Sequence, residues 1–330
     1  TSFTAKREIT ALALSTQDDI LIIDPESEYR PLVEGLGGEV VEISATSSNH
    51  INAMDMEQGY GEGENPVVLK SEFLLSLCEQ SVGAGKLSAK EKSIIDRCTA
   101  QCYHDYVRDG CRGQAPTLQD FHTELLRQPE AEARDVALAL ELFTAGSLNT
   151  FAKPTNVDMS SRIACYDIRK LGKQLLSMGM LVILVSFLNR ITCNRRLGRN
   201  TGFYIDESYM LFQLEYRAIL LFPLWKRVRK YGACCTGLTQ NVDDLLQSHT
   251  ARTMLANSEF LVMLNQASTD RLELARLLNI SDNQLSYITN VGFGRGLIKC
   301  GSAIVPFMDN FPHHTQLYKL MTTKPSDLAA

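Results

Sequence analysis

Two acids side by side, Asp206 and Glu207, close the apolar run Gly202-Phe203-Tyr204-Ile205. A run of that kind reads as a strand buried on both faces, and such a strand delivers the next residues to its C-terminal edge, where open α/β sheets bind ligands. A carboxylate pair at that edge suits phosphoryl chemistry. Asp206 would hold Mg²⁺, through a water because the ion keeps much of its hydration shell, and Glu207 would orient and deprotonate an attacking water. The plain alternative is two solvated acids ahead of a helix, favoured there by its dipole. A second apolar run, Ala233 to Leu238, comes one helical crossover later and ends in Thr239-Gln240. On a neighbouring buried strand the Gln240 amide would stand beside the acids and could sense a terminal phosphate. Taken alone, Gln240 is an ordinary loop residue.

The elements that must position these groups alternate along the chain. Asp19 to Asp24 (DILIID) is apolar and closed by an acid, as a central parallel strand would be, and a turn from Pro25 to Tyr29 comes next. Glu39 to Ile43 and Ile163 to Ile168 read as further strands, as do Ala233 to Leu238 and Phe260 to Leu264. Residues 47–66 are polar and Gly-rich, which predicts a loop. From Val67 to Glu141 apolar residues recur every three or four positions, so this stretch reads as all-helical, with Pro116-Thr117 and Asp120 marking one helix start. Arg169 to Asn194 reads as one amphipathic helix. Another helix is expected to run to a break at Pro223, and Trp225 to Tyr231 reads as helical, stopped by Gly232. Asp270 to Leu278 and Asp282 to Ile288 read as helices, the second capped by Ser281. Gly301-Ser302 between two apolar runs predicts a β-hairpin, so Gly292, Gly294 and Gly296 before it are no phosphate-cradling loop. Strands alternating with helices predict a parallel sheet covered on both faces.

Composition narrows the classes. With 45% hydrophobic and 22% charged residues in 330, the chain is ordinary globular protein. A net charge of -5 argues against an obligate nucleic-acid binder. Nine cysteines are scattered without zinc spacing, which suits reduced, buried thiols. His104, His122 and His249 have no partners at metal-binding spacing, and Trp225 reads as packing. The longest apolar run, Met178 to Leu188, falls short of a bilayer span, so a soluble protein is expected. The opening TSFTAKREITALAL reads as the interior of a helix with no start signal, so a fragment or trimmed domain is expected.

The stretches SFTAKREI, IIDPESEY, TNVD through DIRKLGKQL, GMLVILVSFLNRI, NRRLGRNTGFYIDESYML, LWKRVRKYG, GLTQNVDDLL, MLANSEFLVMLNQ and VGFGRGLI occur in that order. Together they resemble the CagE/TrbE/VirB family of conjugative type IV secretion ATPases, within the HerA–FtsK superfamily. The resemblance covers nearly the whole chain outside the helical stretch. It implies an α/β fold, a RecA-like P-loop NTPase with a mostly parallel sheet, helices on both faces, an all-α insertion and a C-terminal β-hairpin. The core would comprise residues 1–66 and 151–330, and the insertion residues 67–150.

The same resemblance implies ATP and Mg²⁺ as cofactors and ATP hydrolysis that powers export or assembly. The partners implied are further copies of the chain, as a hexamer, and other secretion components, with a relaxase–DNA substrate met indirectly. The place implied is cytoplasmic, peripheral to the inner face of the cell membrane. Asp206 and Glu207 become a Walker B pair. Ser2-Phe3 matches the end of the family's Gly-Lys-Ser-Phe loop, which makes Ser2 a Mg²⁺ ligand and places Thr1 where the lysine is expected. Lacking those glycines, the chain by itself is expected to bind nucleotide weakly or not at all. Asp24 and Glu28 match an acidic turn beside the nucleotide, where Glu28 would tune the water or merely stabilise the turn. Arg229 or Arg227, with Arg252 and Arg295 as rivals, could reach a neighbour's site, or their basic helix could be a solvated face. Asn257-Ser258 matches a family signature or caps a helix. A DNA-translocating coupling protein or FtsK-like motor, and a non-hydrolysing scaffold, are the alternatives.

Overall fold

The computed structural model describes residues 2–57, 59–60, 65–83, 85–158, 160–211, 225, 228–240, 242–266 and 268–324. The chain divides into two compact units, one of residues 16–204 and 227–236, the other of 1–15, 205–226 and 237–330.

The first unit is built on five strands: β1 (Asp19–Asp24), β2 (Glu39–Glu42), β3 (Ile163–Asp167), β4 (Thr201–Ile205) and β5 (Ala233–Gly237), ordered β2-β3-β1-β4-β5. β1 and β2 both pair in parallel with β3, so Asp24 and Glu42 each lie opposite Asp167. Every residue of β1, β3 and β4 is buried, which is why these strands are apolar between their polar ends rather than alternating. β5 departs from expectation. It stands at the end of the sheet, and its five residues are half-buried or exposed. An edge strand carries apolar residues for one covered face only, and its sequence alone does not reveal which side lacks a neighbour.

Helices fill the stretch between β2 and β3. After α1 (Ser2–Ser15), α2 (Arg30–Gly35) and β2, the helices α3 (Pro66–Val82), α4 (Ala89–Arg108), α5 (Leu118–Arg127) and α6 (Ala131–Thr144) pack on one another. Phe73, Leu77, Phe121, Leu125, Val136 and Leu140 bury their side chains there. Thr117 caps α5 reciprocally with Asp120, the start anticipated from the sequence, an arrangement that stabilises by about 1 kcal/mol. The segment between β2 and α3 carries no helix or strand among the described residues, as its composition predicts, but part of it is buried. Ile51, Ala53, Met54 and Met56 are buried, and the hydroxyls of Tyr103 and Tyr106 on α4 donate to the carbonyls of Met54 (2.5 Å) and Met56 (2.8 Å).

Helix α7 (Gly172–Arg196) links β3 to β4. It starts later than expected because Asp167 accepts the Arg169 N–H and the chain turns before helix begins. Five consecutive residues, Met180 to Leu184, are buried, so it is a core helix rather than an amphipathic one. At 25 residues it is long and apolar enough to cross a bilayer, which the shorter apolar run concealed, yet most of its apolar window is buried inside the protein. Near its C-terminus Arg190 pairs with the fully buried Asp19 at 2.5 Å, and Asn194 donates to both Asp19 (2.8 Å) and Thr201 (2.9 Å). The Asp19 carboxylate thus ties α7 to the start of β1, and Asn194 ties it to the start of β4.

The second unit contains α1, α8 (Val242–Gln247), α9 (His249–Ala256), β6 (Phe260–Met263), α10 (Ser268–Leu278), α11 (Asp282–Leu285), β7 (Arg295–Cys300), β8 (Ala303–Met308) and α12 (Gln316–Met321). β7 and β8 form the anticipated hairpin. β6 does not extend the parallel sheet; it pairs antiparallel with β7, Phe260 opposite Cys300 and Met263 opposite Leu297. Met263, Leu274, Leu278, Ile288 and Leu297 form the core beneath it. Ser281 caps α11 with Gln284 as its partner. Helix α1 packs on α12, where Phe3 meets the ring of Tyr318 at 5.5 Å.

Candidate functional site

The fully buried β4 carries the chain to Asp206, which is 4% exposed, and then to Glu207. The Asp206 carboxylate accepts the Glu207 N–H at 2.9 Å. Glu207 has φ +47°, a left-handed conformation that costs a residue with a side chain about 1–3 kcal/mol and tends to occur at functional sites. The turn therefore aims the second acid differently from a continuing strand.

Beyond the end of β5, backbone pairing continues. Leu238 N–H donates to Ile205 (2.9 Å) and Ser208 N–H to Leu238 (2.7 Å), while the Ser208 hydroxyl adds a second bond to the same carbonyl at 2.9 Å. Gly237 permits this closeness: a Cβ there would lie 3.1 Å from Ser208 Oγ and 3.3 Å from the Trp225 ring. Past this junction, Gln240 Nε2 donates to Glu207 Oε1 at 2.8 Å. The structure brings the two strand ends, and the two side chains singled out on them, into one hydrogen-bonded pair. Ser208 was missed in the sequence, although a hydroxyl directly after Asp-Glu was the available signal.

Asp24 ends β1 and is 1% exposed. Its two oxygens accept the Glu26 N–H (3.2 Å) and the Tyr29 N–H (2.9 Å), so it is bound into the turn. Burial pushes its carboxyl above the usual range, and those backbone donors oppose the rise. Ser27 at φ 60° donates to Asp167. Glu28 differs: its buried Oε2 accepts no hydrogen bond, which leaves that oxygen with capacity to spare.

Ser2 is buried in the first turn of α1, and no described hydrogen bond joins it to Asp206, Glu207 or Gln240. Thr1, Arg227 and the residues around Pro223 lie outside the described residues. Arg229 is exposed in the single turn of 3₁₀ helix Val228–Tyr231, and Gly232 comes next at φ +65°. Arg252 is engaged by the Leu246 carbonyl and Glu273, and Arg295 opens β7. Asn257 and Ser258 donate to the carbonyls of Thr253 and Met254, so both cap the C-terminal end of α9. Among the described residues no group of His, Cys, Asp and Glu is placed to hold a metal by itself. All nine cysteines are free thiols.

With the sheet order and the paired strand ends established, comparison with solved structures decides the fold. VirB4 of Thermoanaerobacter pseudethanolicus matches with a TM-score of 0.81 and 22% identity, over 94% of this chain and 87% of that one. The chain has the VirB4 fold. The bacterial conjugative coupling protein TrwBdeltaN70, in its unbound monoclinic form, matches at TM-score 0.56 and 13% identity, over 96% of this chain and 85% of its own. No protein-family model and no curated protein matches. The VirB4 fold is the RecA-like P-loop architecture expected from the sequence: a mostly parallel sheet flanked by helices, with a small antiparallel sheet added. Within it, Asp206 and Glu207 come directly after β4, and Gln240 comes after β5, the neighbouring strand.

Proposed function

We propose that this chain is the motor domain of a type IV secretion ATPase of the VirB4 kind, hydrolysing ATP to drive export or assembly. The observation that carries the reading is the 2.8 Å hydrogen bond from Gln240 to Glu207 across two adjacent strand ends. Glu207 is the general base that orients and deprotonates the attacking water, and Gln240 fixes the direction of its carboxylate. When a terminal phosphate arrives, the same amide can donate to a phosphate oxygen, so its partner reports whether that phosphate is present.

Asp206 and Ser2 are hard oxygen donors, the kind Mg²⁺ prefers, and the near-complete burial of Asp206 gives a carboxylate there reason to seek a cation. The ion would neutralise charge on the transferring phosphoryl group. Glu28 is a second candidate for tuning the water; Asp24 holds the turn that presents it. Arg229, exposed, is the candidate to reach a neighbouring copy in an oligomer, for which a hexamer is the arrangement proposed. The work would be done with other secretion components at the cytoplasmic face of the membrane.

Phosphate release by the natural full-length protein tests this. Glu207→Gln should reduce turnover by about 10²–10⁴-fold, the usual contribution of a general base, while nucleotide still binds. Turnover unchanged by that replacement would remove Glu207 from the mechanism.

A further inference from the structure

A cavity of about 500 Å³ opens in the sheet-bearing unit, walled by Asn52, Asp55 and Glu57 from the segment after β2, by Thr155, and by Asn189 and Arg190 of α7. Its size falls in the range of small-molecule pockets, roughly 300–1,000 Å³. Thr155 belongs to the stretch TNVD, and Asn189-Arg190 to SFLNRI. Both stretches stood out in the sequence, and the nucleotide reading uses neither. Here they meet.

The lining carries two carboxylates against one cation. Asp55 accepts from Asn52 Nδ2 and from the Thr155 hydroxyl, and Glu57 accepts from the Cys193 thiol, which leaves lone pairs on both carboxylates. Arg190, the cation in the wall, is already committed to Asp19 and to the Ser160 carbonyl. Lys70 also acts on Asp55 electrostatically, but its Nζ lies over the rings of Tyr60 and Phe73 and makes no hydrogen bond. Asn189 is only 7% exposed; its Nδ2 donates to the Asp55 carbonyl, and its buried Oδ1 accepts nothing. A buried acceptor left unmade costs about 1–3 kcal/mol, so a ligand that donates to it recovers that energy. Burial also pushes the Asp55 carboxyl upward, which an incoming cation would relieve.

We propose that this cavity binds a small organic cation with several N–H donors, an alkyl amine or guanidinium, held by Asp55, Glu57 and the Asn189 carbonyl. Titration calorimetry on the whole chain with agmatine and putrescine tests it, with 1,4-butanediol and succinate as neutral and anionic controls of matched length. The cations should bind and the controls should not. Asp55→Asn, which keeps the shape of the side chain, should weaken agmatine by about tenfold or more, equivalent to about 1.4 kcal/mol. Should Asp55→Asn fail to fold, Glu57→Gln, at an exposed carboxylate, should still weaken binding severalfold. A blocked Gly-Arg-Gly peptide separates the sources: if it competes with agmatine, the cation can be an arginine of a partner; if only the free amines bind, it is a small molecule. Absence of binding at millimolar agmatine, equal affinity for butanediol, or affinity unmoved by both carboxamide variants would overturn the assignment.

Discussion

Lys70 of α3 is a fully buried ammonium-bearing side chain whose Nζ sits 5.1 Å from the centre of the Tyr60 ring and 5.4 Å from that of Phe73. Burial lowers its pKa from 10.5 to about 7, and Asp55 only partly opposes this. At about 1.4 kcal/mol per decade, the gap between those values amounts to about 5 kcal/mol of disfavoured charge. The aromatic faces offset some of that, by roughly 1–2 kcal/mol for a desolvated cation. Which state holds the proton sets the sign. Between about 7 and 10.5 the unfolded lysine is protonated and the folded one is not, so folding releases a proton and stability rises with pH. Below about 7 the penalty is present in full. Lys70→Met keeps an unbranched side chain that packs well against rings. Chemical denaturation should find the variant about 2–4 kcal/mol more stable than the parent near pH 6, with that advantage shrinking by about 3 kcal/mol toward pH 9.5. An advantage that stays constant with pH, or a variant less stable at pH 6, would refute the reasoning.

Arg190→Ala should cost about 3–5 kcal/mol in denaturant titrations, because it leaves the Asp19 carboxylate buried without its cation; adding Asp19→Asn should recover part of the loss. Gly237→Val should press on Ser208 and Trp225 and part the two strand ends, so turnover should fall steeply for a stability loss of only about 1–3 kcal/mol; full turnover with normal folding would show that their spacing does not matter. Gln240→Ala should lower phosphate release while leaving the melting temperature nearly unchanged, since an exposed hydrogen bond contributes about 0.5–1.5 kcal/mol. Arg229→Ala in the full-length protein should abolish turnover and spare ATP binding, and unchanged phosphate release would exclude it as the arginine acting in a neighbour's site.

Where local chemistry fixes an outcome, the sequence was readable. Asp24 and Asp206 sit where apolar runs end, because a strand buried on both faces must be apolar until it reaches the sheet edge. Thr117 with Asp120, and Ser281, marked helix starts in the sequence, and in the structure each cap is reciprocal, with Gln284 the partner of Ser281. Long-range features stayed hidden. That β5 is an edge strand and that β6 joins the hairpin depend on which strands become neighbours, and no local pattern encodes that. The burial of Ile51, Met54 and Met56 within a loop was not readable, because these residues keep neither a two- nor a 3.6-residue period; tyrosines on α4 hold the loop in place. Lys70 looked like one more polar position on a helix. At the candidate site the acids and the amide could be named in advance, but not the left-handed backbone at Glu207 or the Ser208 bond, since both arise only when two strands meet.

The cluster of Asp19, Arg190, Asn194 and Thr201 grips β4 at its start, five residues ahead of Asp206 at its finish. The strand is therefore held by side chains at its tail, while the proposed chemistry lies past its tip. If the proposed function holds, changes at the tail should be felt as folding, and changes past the tip as chemistry. Robustness and speed would then be adjustable at separate ends of one five-residue strand.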